Sequence, residues 1–135
     1  MRITTVLFIL TTAFSASVNA QSNEKGREIF KSLCMTCHKI ERSPQQVAPP
    51  IFAMKDHYLR KHPDKASFVH AVTNWLIKPS KDKALMPGAI RKFNLMPKPA
   101  VSTDEAAQVA TFLFELNLNE PDWYQKHYKQ DHPNQ

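Results

Sequence analysis

The chain has 135 residues, with 18 basic and 12 acidic side chains and a formal net charge of +6. This length suits a single domain, and no Gly-rich phosphate loop or Arg-rich run with interleaved aromatics favours a nucleotide or nucleic-acid function. Two glycines against ten prolines favour helices joined by stiff loops over Gly-turned hairpins. We therefore expect an all-α fold.

Residues 1–20 have the pattern of a secretory signal peptide. Arg2 supplies the positive start, an apolar run begins at Val6, and Val18-Asn19-Ala20 offers small residues for cleavage. The apolar run is too short and too polar to span a bilayer convincingly. We expect export to the periplasm or an equivalent compartment, with the mature chain beginning near Gln21. An uncleaved anchor is the alternative.

A first helix is predicted from about Glu24, with Ser22 or Asn23 as its N-cap. Gly26 and Phe30 lie four residues apart on one face of this helix. A glycine inside a helix costs up to about 1 kcal/mol relative to alanine, and the close approach of another helix is the usual compensation. We therefore expect a helix crossing at this position.

The chain's two cysteines, Cys34 and Cys37, form a C-x-x-C-H motif with His38. This spacing is typical of c-type haem attachment, in which both thiols anchor one porphyrin and the histidine is an axial ligand of the iron. A redox dithiol would need a βαβ context, and a closed zinc site would need four ligands. A structural disulfide would leave the histidine unexplained. The motif therefore predicts one covalently bound haem c.

The helix with Gly26 and Phe30, followed by C-x-x-C-H, resembles the N-terminal helix of class I c-type cytochromes, the bacterial monohaem cytochrome c family. The resemblance extends from about Asn23 to Leu116. It implies three to five helices around one covalently bound haem, with the N- and C-terminal helices crossing. It also implies an electron-transfer protein rather than an enzyme.

Between His38 and Pro63, three prolines predict an irregular segment without a long helix. Pro49-Pro50 is similar to the family's loop after the haem motif, where a proline carbonyl accepts a hydrogen bond from the axial imidazole. The resemblance gives this role to Pro49, with Pro50 as the alternative. A stiff connector without that role is the other interpretation.

The next helix is predicted over residues 65–77, with Asp64 as its N-cap. Phe68 and Trp75 mark its apolar face. Trp75 has two interpretations, since its ring suits core packing and its indole N–H could reach a haem propionate.

Two Met-Pro pairs, Met86-Pro87 and Met96-Pro97, lie ten residues apart. Either methionine sulfur could bind the iron on the side opposite His38, and His/Met ligation raises the reduction potential relative to His/His. In class I cytochromes the ligand loop immediately precedes the last main helix. The resemblance therefore favours Met96 as the distal ligand and leaves Met86 as the alternative.

The last main helix begins with a capping box, Ser102 at the N-cap and Glu105 three residues later. It should end near Leu116. Phe112 looks like the aromatic that meets the N-terminal helix at the glycine crossing in class I cytochromes, so we expect it against Gly26.

Three segments are therefore predicted: a signal peptide (1–20), a cytochrome c domain (21–118) and a C-terminal aromatic and basic extension (119–135). Pro121 suits the first turn of a short helix in the extension. Trp123 and Tyr124 are expected to fold back over the domain, and docking of a redox partner is the alternative.

The sequence predicts a periplasmic single-electron carrier, monomeric and at most peripheral to the membrane. Its partners would be an electron donor and an acceptor, with membrane complexes among the candidates. Lysines that could steer them are Lys31, Lys39, Lys92 and Lys98. Two alternatives stay open: a haem-bearing subunit or docking module of a membrane redox complex, and a haem enzyme or gas sensor with an open sixth position.

Overall fold

The computed structural model describes residues 15–41, 44–119 and 121–131, except for the side chains of residues 15–20, 22 and 131. Within these ranges the chain is helical and contains no strand. The α-helices are α1 (Ser15–Ile29), α2 (Ile51–Lys61), α3 (Lys65–Ile77), α4 (Pro87–Phe93), α5 (Thr103–Glu115) and α6 (Asp122–Asp131). A π-helical turn (Phe30–Cys34) continues α1, and a 3₁₀ turn (Lys81–Lys83) precedes α4. The predicted all-α fold is confirmed.

Helix α1 begins at Ser15 rather than near Glu24, because no glycine or proline interrupts the chain before Gly26. Asn23 is therefore inside the helix and does not cap it. Its side-chain amide donates a hydrogen bond to the Glu115 carboxylate, at 2.5 Å, and so links α1 to the end of α5. Residues 1–14 of the predicted signal peptide lie outside the described residues.

Helix α2 lies in the segment between His38 and Pro63, which was expected to be irregular, and that expectation is wrong. Pro50 is the N-cap of this helix, with φ −63° and ψ 151°. A proline restricts the residue before it and not a helix that starts after it, and residues 51–62 contain no proline. The described chain thus has six α-helices, one more than the upper end of the expected range.

The predicted caps of α3 and α5 are present. The Asp64 side chain accepts a hydrogen bond from the Ser67 N–H at 2.9 Å. At α5, the Glu105 N–H donates to the Ser102 hydroxyl at 3.2 Å, while the Glu105 carboxylate accepts from the Ser102 N–H at 2.9 Å. These bonds satisfy backbone N–H groups that have no partner within the helix.

Helix α5 contacts both α1 and α3, and the main core lies between these three helices and α2. The most deeply buried core side chains include Phe68, Ile51, Val109, Ala106 and Ala110. The rings of Phe30 in the π-helical turn and Phe112 in α5 are 5.5 Å apart between centroids. The expected crossing of the N- and C-terminal helices of the domain is therefore present.

Among the described residues, no helix combines the length and the apolar character needed to cross a lipid bilayer.

Candidate functional site

A cavity of about 260 Å³ lies against the main core, with walls from the π-helical turn, α2, α3, α4 and α5 and from the loops around them. Much of its wall is apolar, and includes Phe30, Ile51, Val72, Leu76 and Leu113. Protein interiors are close-packed and contain few voids larger than a water molecule. A cavity of this size in so small a domain therefore indicates the binding site of a large apolar group.

The C-x-x-C-H motif forms one wall of the cavity, where Cys34, Cys37 and His38 all lie. The Cys34 carbonyl accepts hydrogen bonds from the Cys37 N–H at 3.2 Å and from the His38 N–H at 2.8 Å. These bonds close a turn at the end of the π-helix. The turn brings both thiols and the imidazole to the same side of the chain.

The environment of Cys34 argues against thiol–disulfide chemistry. Burial raises the pKa of its thiol to about 11, with a further contribution from neighbouring Cys37. Redox dithiols instead rely on a thiol whose pKa is lowered, because the thiolate is the nucleophile. In the part of the chain that the structure describes, no three His, Cys, Asp or Glu side chains are grouped so as to hold a metal ion. Neither a redox dithiol nor a zinc site gains support from this geometry.

His38 is held by a hydrogen bond from its Nδ1–H to the Pro49 carbonyl oxygen, at 2.9 Å. The other ring nitrogen, Nε2, is then the one with a lone pair for a metal. Burial lowers the pKa of His38, and the Pro49 bond opposes that effect. The neutral ring is the form that binds iron.

Pro49 and Pro50 have different partners. The Pro50 carbonyl accepts the Met54 N–H at 3.2 Å and so begins the hydrogen bonding of α2. The expected hydrogen bond from the axial imidazole is thus accepted by Pro49 and not by Pro50. That Pro49 supports a haem ligand in this way stays a prediction.

Met86 and Met96 both line the cavity, one before α4 and one after it. Met86 is the N-cap of α4, and Met96 follows its end. Between them, Asn94 has a positive φ of 67°, which is uncommon for a residue other than glycine, and the chain turns there. Both sulfurs therefore belong to the wall of one cavity, although ten residues separate them.

The two methionines differ in what they pack against. Met96 packs against the main core. Met86 packs against a second cluster, formed by Phe52, Ala53, Tyr124 and Tyr128.

Sequence reasoning missed Tyr58, a cavity residue of α2, because it did not predict that helix. Ile51, Met54 and Tyr58 recur at helical spacing, and this stripe was the available signal. Burial raises the pKa of the Tyr58 hydroxyl, which therefore keeps its proton at neutral pH. Trp75 lies at the cavity and also packs against the main core, so both of its interpretations stay open. The described residues provide no hydrogen-bond acceptor for its indole N–H.

Residues 23–117, more than half of the chain, match the family model for cytochrome c. The chain belongs to the cytochrome c family. It therefore carries covalently attached haem c with its iron, and it is a haem-bearing electron carrier. Helix α6 lies outside the matched residues.

A relative is known from Aquifex aeolicus (strain VF5), where it is described as an uncharacterized protein. It is 27% identical over 110 residues, which cover 67% of this chain and 72% of the relative. No solved structure matches the chain significantly.

The cavity of this cytochrome fits haem in its chemistry. It offers two thiols for covalent attachment, an imidazole whose Nδ1 is already engaged, and thioether sulfurs on separate loops. The remaining wall is mostly apolar, which suits a porphyrin.

Proposed function

We propose that this cytochrome is a periplasmic carrier of single electrons, with no substrate chemistry of its own. In this proposal Cys34 and Cys37 bind the haem through thioethers, and His38 and Met96 are the axial ligands of its iron. The observation that supports it most strongly is that these four side chains line the same apolar cavity. When bound, the haem supplies a reversible one-electron couple between ferrous and ferric iron.

The protein's contribution on the His38 side is to fix the imidazole. The Pro49 carbonyl orients the ring and increases the basicity of its Nε2. Because the acceptor is a backbone oxygen just before the N-cap of α2, the ring orientation is tied to the position of that helix.

On the opposite side, Pro97 removes a backbone N–H and favours an extended conformation at Met96. A methionine sulfur stabilises ferrous iron relative to a second histidine. Two protein ligands leave no coordination position for a substrate, and this is why we propose a carrier rather than an enzyme.

Trp75 and Tyr58 provide hydrogen-bond donors at the same cavity, an indole N–H and a phenol O–H. We assign them to the haem propionates. Such bonds would stabilise the ionised propionates inside a largely apolar site.

The charge distribution supports an acidic redox partner. Residues 78–98, which contain both Met-Pro pairs, carry six basic side chains and one acidic side chain, Asp82. Lys98 lies at the cavity itself. Lys31 and Lys39 are exposed near the C-x-x-C-H motif. Such an excess of positive charge would steer a brief encounter with an acidic surface and speed association more than it tightens binding.

The ligand proposal is tested by absorption spectroscopy of the purified ferric protein. A sulfur-bound ferric haem has a weak band at the red end of the visible spectrum. We expect Met96→Ala to lose this band and to bind carbon monoxide more readily in the ferrous state. Met86→Ala should retain the band, as should Met54→Leu, the matched control at a third cavity methionine.

Loss of the band in Met86→Ala, with retention in Met96→Ala, would transfer the ligand role to Met86. A wild-type protein with no such band, high-spin iron and ready carbon monoxide binding would contradict the carrier proposal. It would favour the haem enzyme or gas sensor.

Export is tested by the intact mass of the haem-containing protein recovered from the periplasm. The expected mass is that of a chain beginning at Gln21 plus one haem. Recovery of a full-length chain from the membrane fraction would instead favour an uncleaved anchor.

A further inference from the structure

Helix α6 lies beyond the matched residues, yet it is packed onto the cytochrome domain. Tyr124 and Tyr128, four residues apart on one face of α6, are only 3% and 6% exposed. Tyr124 packs edge-on against Phe52 of α2, with ring centroids 5.0 Å apart. With Ala53 these three rings form the cluster described above, which we call the tail cluster.

Polar contacts fix the orientation of α6 on α2. The Tyr124 hydroxyl donates to the Asp56 carboxylate at 3.1 Å. The same carboxylate oxygen accepts a hydrogen bond from Arg60 Nε at 2.8 Å, and the Arg60 guanidinium carbon lies 4.0 Å from the centre of the Tyr128 ring. Hydrogen bonds and cation–π contacts are directional. They hold the two tyrosines in one arrangement, which an apolar contact alone would not specify.

The tail cluster also contacts the haem cavity through one residue. Met86 packs against the tail cluster and lines the cavity. Met96 lines the same cavity but packs against the main core. Methionine is unbranched and readily changes its side-chain conformation, so Met86 can compete with Met96 for the distal iron position if nothing holds it in place.

We propose that α6 is a strap that holds Met86 in the cavity wall and thereby reserves the distal iron position for Met96. Tyr124 and Tyr128 are then positioning residues, since they act on the iron site through Met86, which packs against the tail cluster. This inference rests on the proposed His38/Met96 ligation. It gives the C-terminal extension a role in choosing the ligand rather than in covering the surface.

The test uses the haem-containing protein with Tyr124 and Tyr128 both replaced by alanine. In the reduced protein, the ring current of the porphyrin shifts the methyl resonance of an iron-bound methionine far upfield. The wild type should show one such resonance. The double variant should show a second, with at least about a tenth of the intensity, because released Met86 competes for the iron.

Adding Met86→Leu to the double variant should restore a single resonance. That rescue separates ligand competition from general loosening of the fold, because leucine fills similar volume but cannot bind iron. Lys126→Ala, at an exposed position of α6, is the matched control and should give the wild-type spectrum. Tyr124→Phe keeps the ring but loses the bond to Asp56. This milder variant replaces the double variant if the latter fails to fold, and it should show a smaller second resonance.

If the double tyrosine variant and Tyr124→Phe both keep one unchanged methyl resonance and the wild-type reduction potential, the strap is overturned and the His/Met carrier stays intact. A second resonance that persists after Met86→Leu would also overturn it. A wild-type protein without any iron-bound methionine signal would overturn the proposed ligation, and the strap with it.

Discussion

Gly26 in α1 lies directly against the backbone of Gln108 in α5. A Cβ atom built on Gly26 would overlap the Gln108 carbonyl oxygen and lie 2.7 Å from its carbonyl carbon. It would also lie 3.1 Å from the Phe112 Cβ. Since the main obstacle is backbone, it cannot move aside by a change of rotamer. The crossing of α1 and α5 therefore depends on the absence of a side chain at residue 26.

We predict that Gly26→Ala destabilises the protein by about 1–3 kcal/mol, the usual cost of adding a methyl group to a packed core. This cost opposes the gain of up to about 1 kcal/mol that alanine brings to a helix. Chemical denaturation of the haem-containing protein measures the difference in unfolding free energy.

Gly88→Ala is the matched control. A Cβ atom at Gly88, in the first turn of α4, would meet only the end of the Arg91 side chain, at 3.6 Å. This substitution should be neutral or stabilising. Equal effects of the two substitutions would contradict a special role for the α1–α5 crossing.

Lys55 of α2 stabilises the end of α5. Its ammonium group donates to the Phe114 carbonyl at 2.9 Å and also to the Leu116 carbonyl. These carbonyls lie in the last turn of α5 and just beyond it. We predict that Lys55→Met lowers the unfolding free energy by about 1–3 kcal/mol, because the carbonyls lose a charged donor.

Lys65 provides the control for Lys55, since it contacts the same end of α5. It pairs with Glu115 at 2.5 Å, but both side chains are substantially exposed, at 50% and 38%. Exposed ion pairs contribute about 0.2–1 kcal/mol, so Lys65→Met should have the smaller effect in the same denaturation experiment. An equal or larger effect of Lys65→Met would contradict the prediction that Lys55 contributes more than the exposed ion pair.

The sequence was most informative where a local rule determines the structure. Covalent chemistry fixes the spacing of Cys34, Cys37 and His38, and capping fixes the starts of α3 and α5 through residues three positions apart. These features can be recognised within a few residues of the chain. The bond from His38 to Pro49 was expected through family resemblance, because nothing local connects positions eleven residues apart.

The sequence was least informative where the structure depends on distant partners. Helix α2 was missed because prolines before it suggested an irregular segment, although its own residues contain none. The packing of Tyr124 onto Phe52 joins positions far apart in the chain. The sequence favoured a fold back of this residue over the domain, with docking as the alternative, but it gave no partner for the ring. The placement of Met86 and Met96 at one cavity depends on the turn at Asn94. No periodicity in the sequence predicts that turn.

The N-cap of α3 predicts a pH dependence. Hydrogen bonds from Ser67 lower the pKa of Asp64 below 3.8, so the folded state favours its ionised form. The stabilisation is complete above pH 3.8 and is lost as the pH falls through the lower pKa of the folded state. Asn caps helices about as well as Asp but does not titrate. Asp64→Asn should therefore gain stability relative to the wild type as the pH falls below about 4.

Paired denaturation curves of the two proteins between neutral and acid pH measure this difference, and acid effects on the haem are common to both. Asp104→Asn is the control, because the described residues make no hydrogen bond to the Asp104 side chain. A difference between wild type and Asp64→Asn that stays constant with pH would contradict the assignment of Asp64 as an ionised cap.

The position of Lys98 predicts how an anionic oxidant reacts with the ferrous protein. Lys98 is exposed and lies at the cavity, within the basic segment of residues 78–98. We expect Lys98→Glu to slow oxidation by the hexacyanoferrate(III) trianion. Reversing one charge about 10 Å from a trianion changes the encounter energy by about 1 kcal/mol after screening, or about fivefold in rate.

Stopped-flow measurements at several ionic strengths test this expectation, and the effect should shrink as salt is added. Lys61→Glu is the matched control, since it makes the same change in net charge at an exposed position of α2 that is not part of the cavity wall. If both variants slow the reaction equally, the rate depends on net charge alone. A larger effect for Lys98→Glu places electron exit at the edge of the cavity that carries the basic segment, which is the surface an acidic partner would meet.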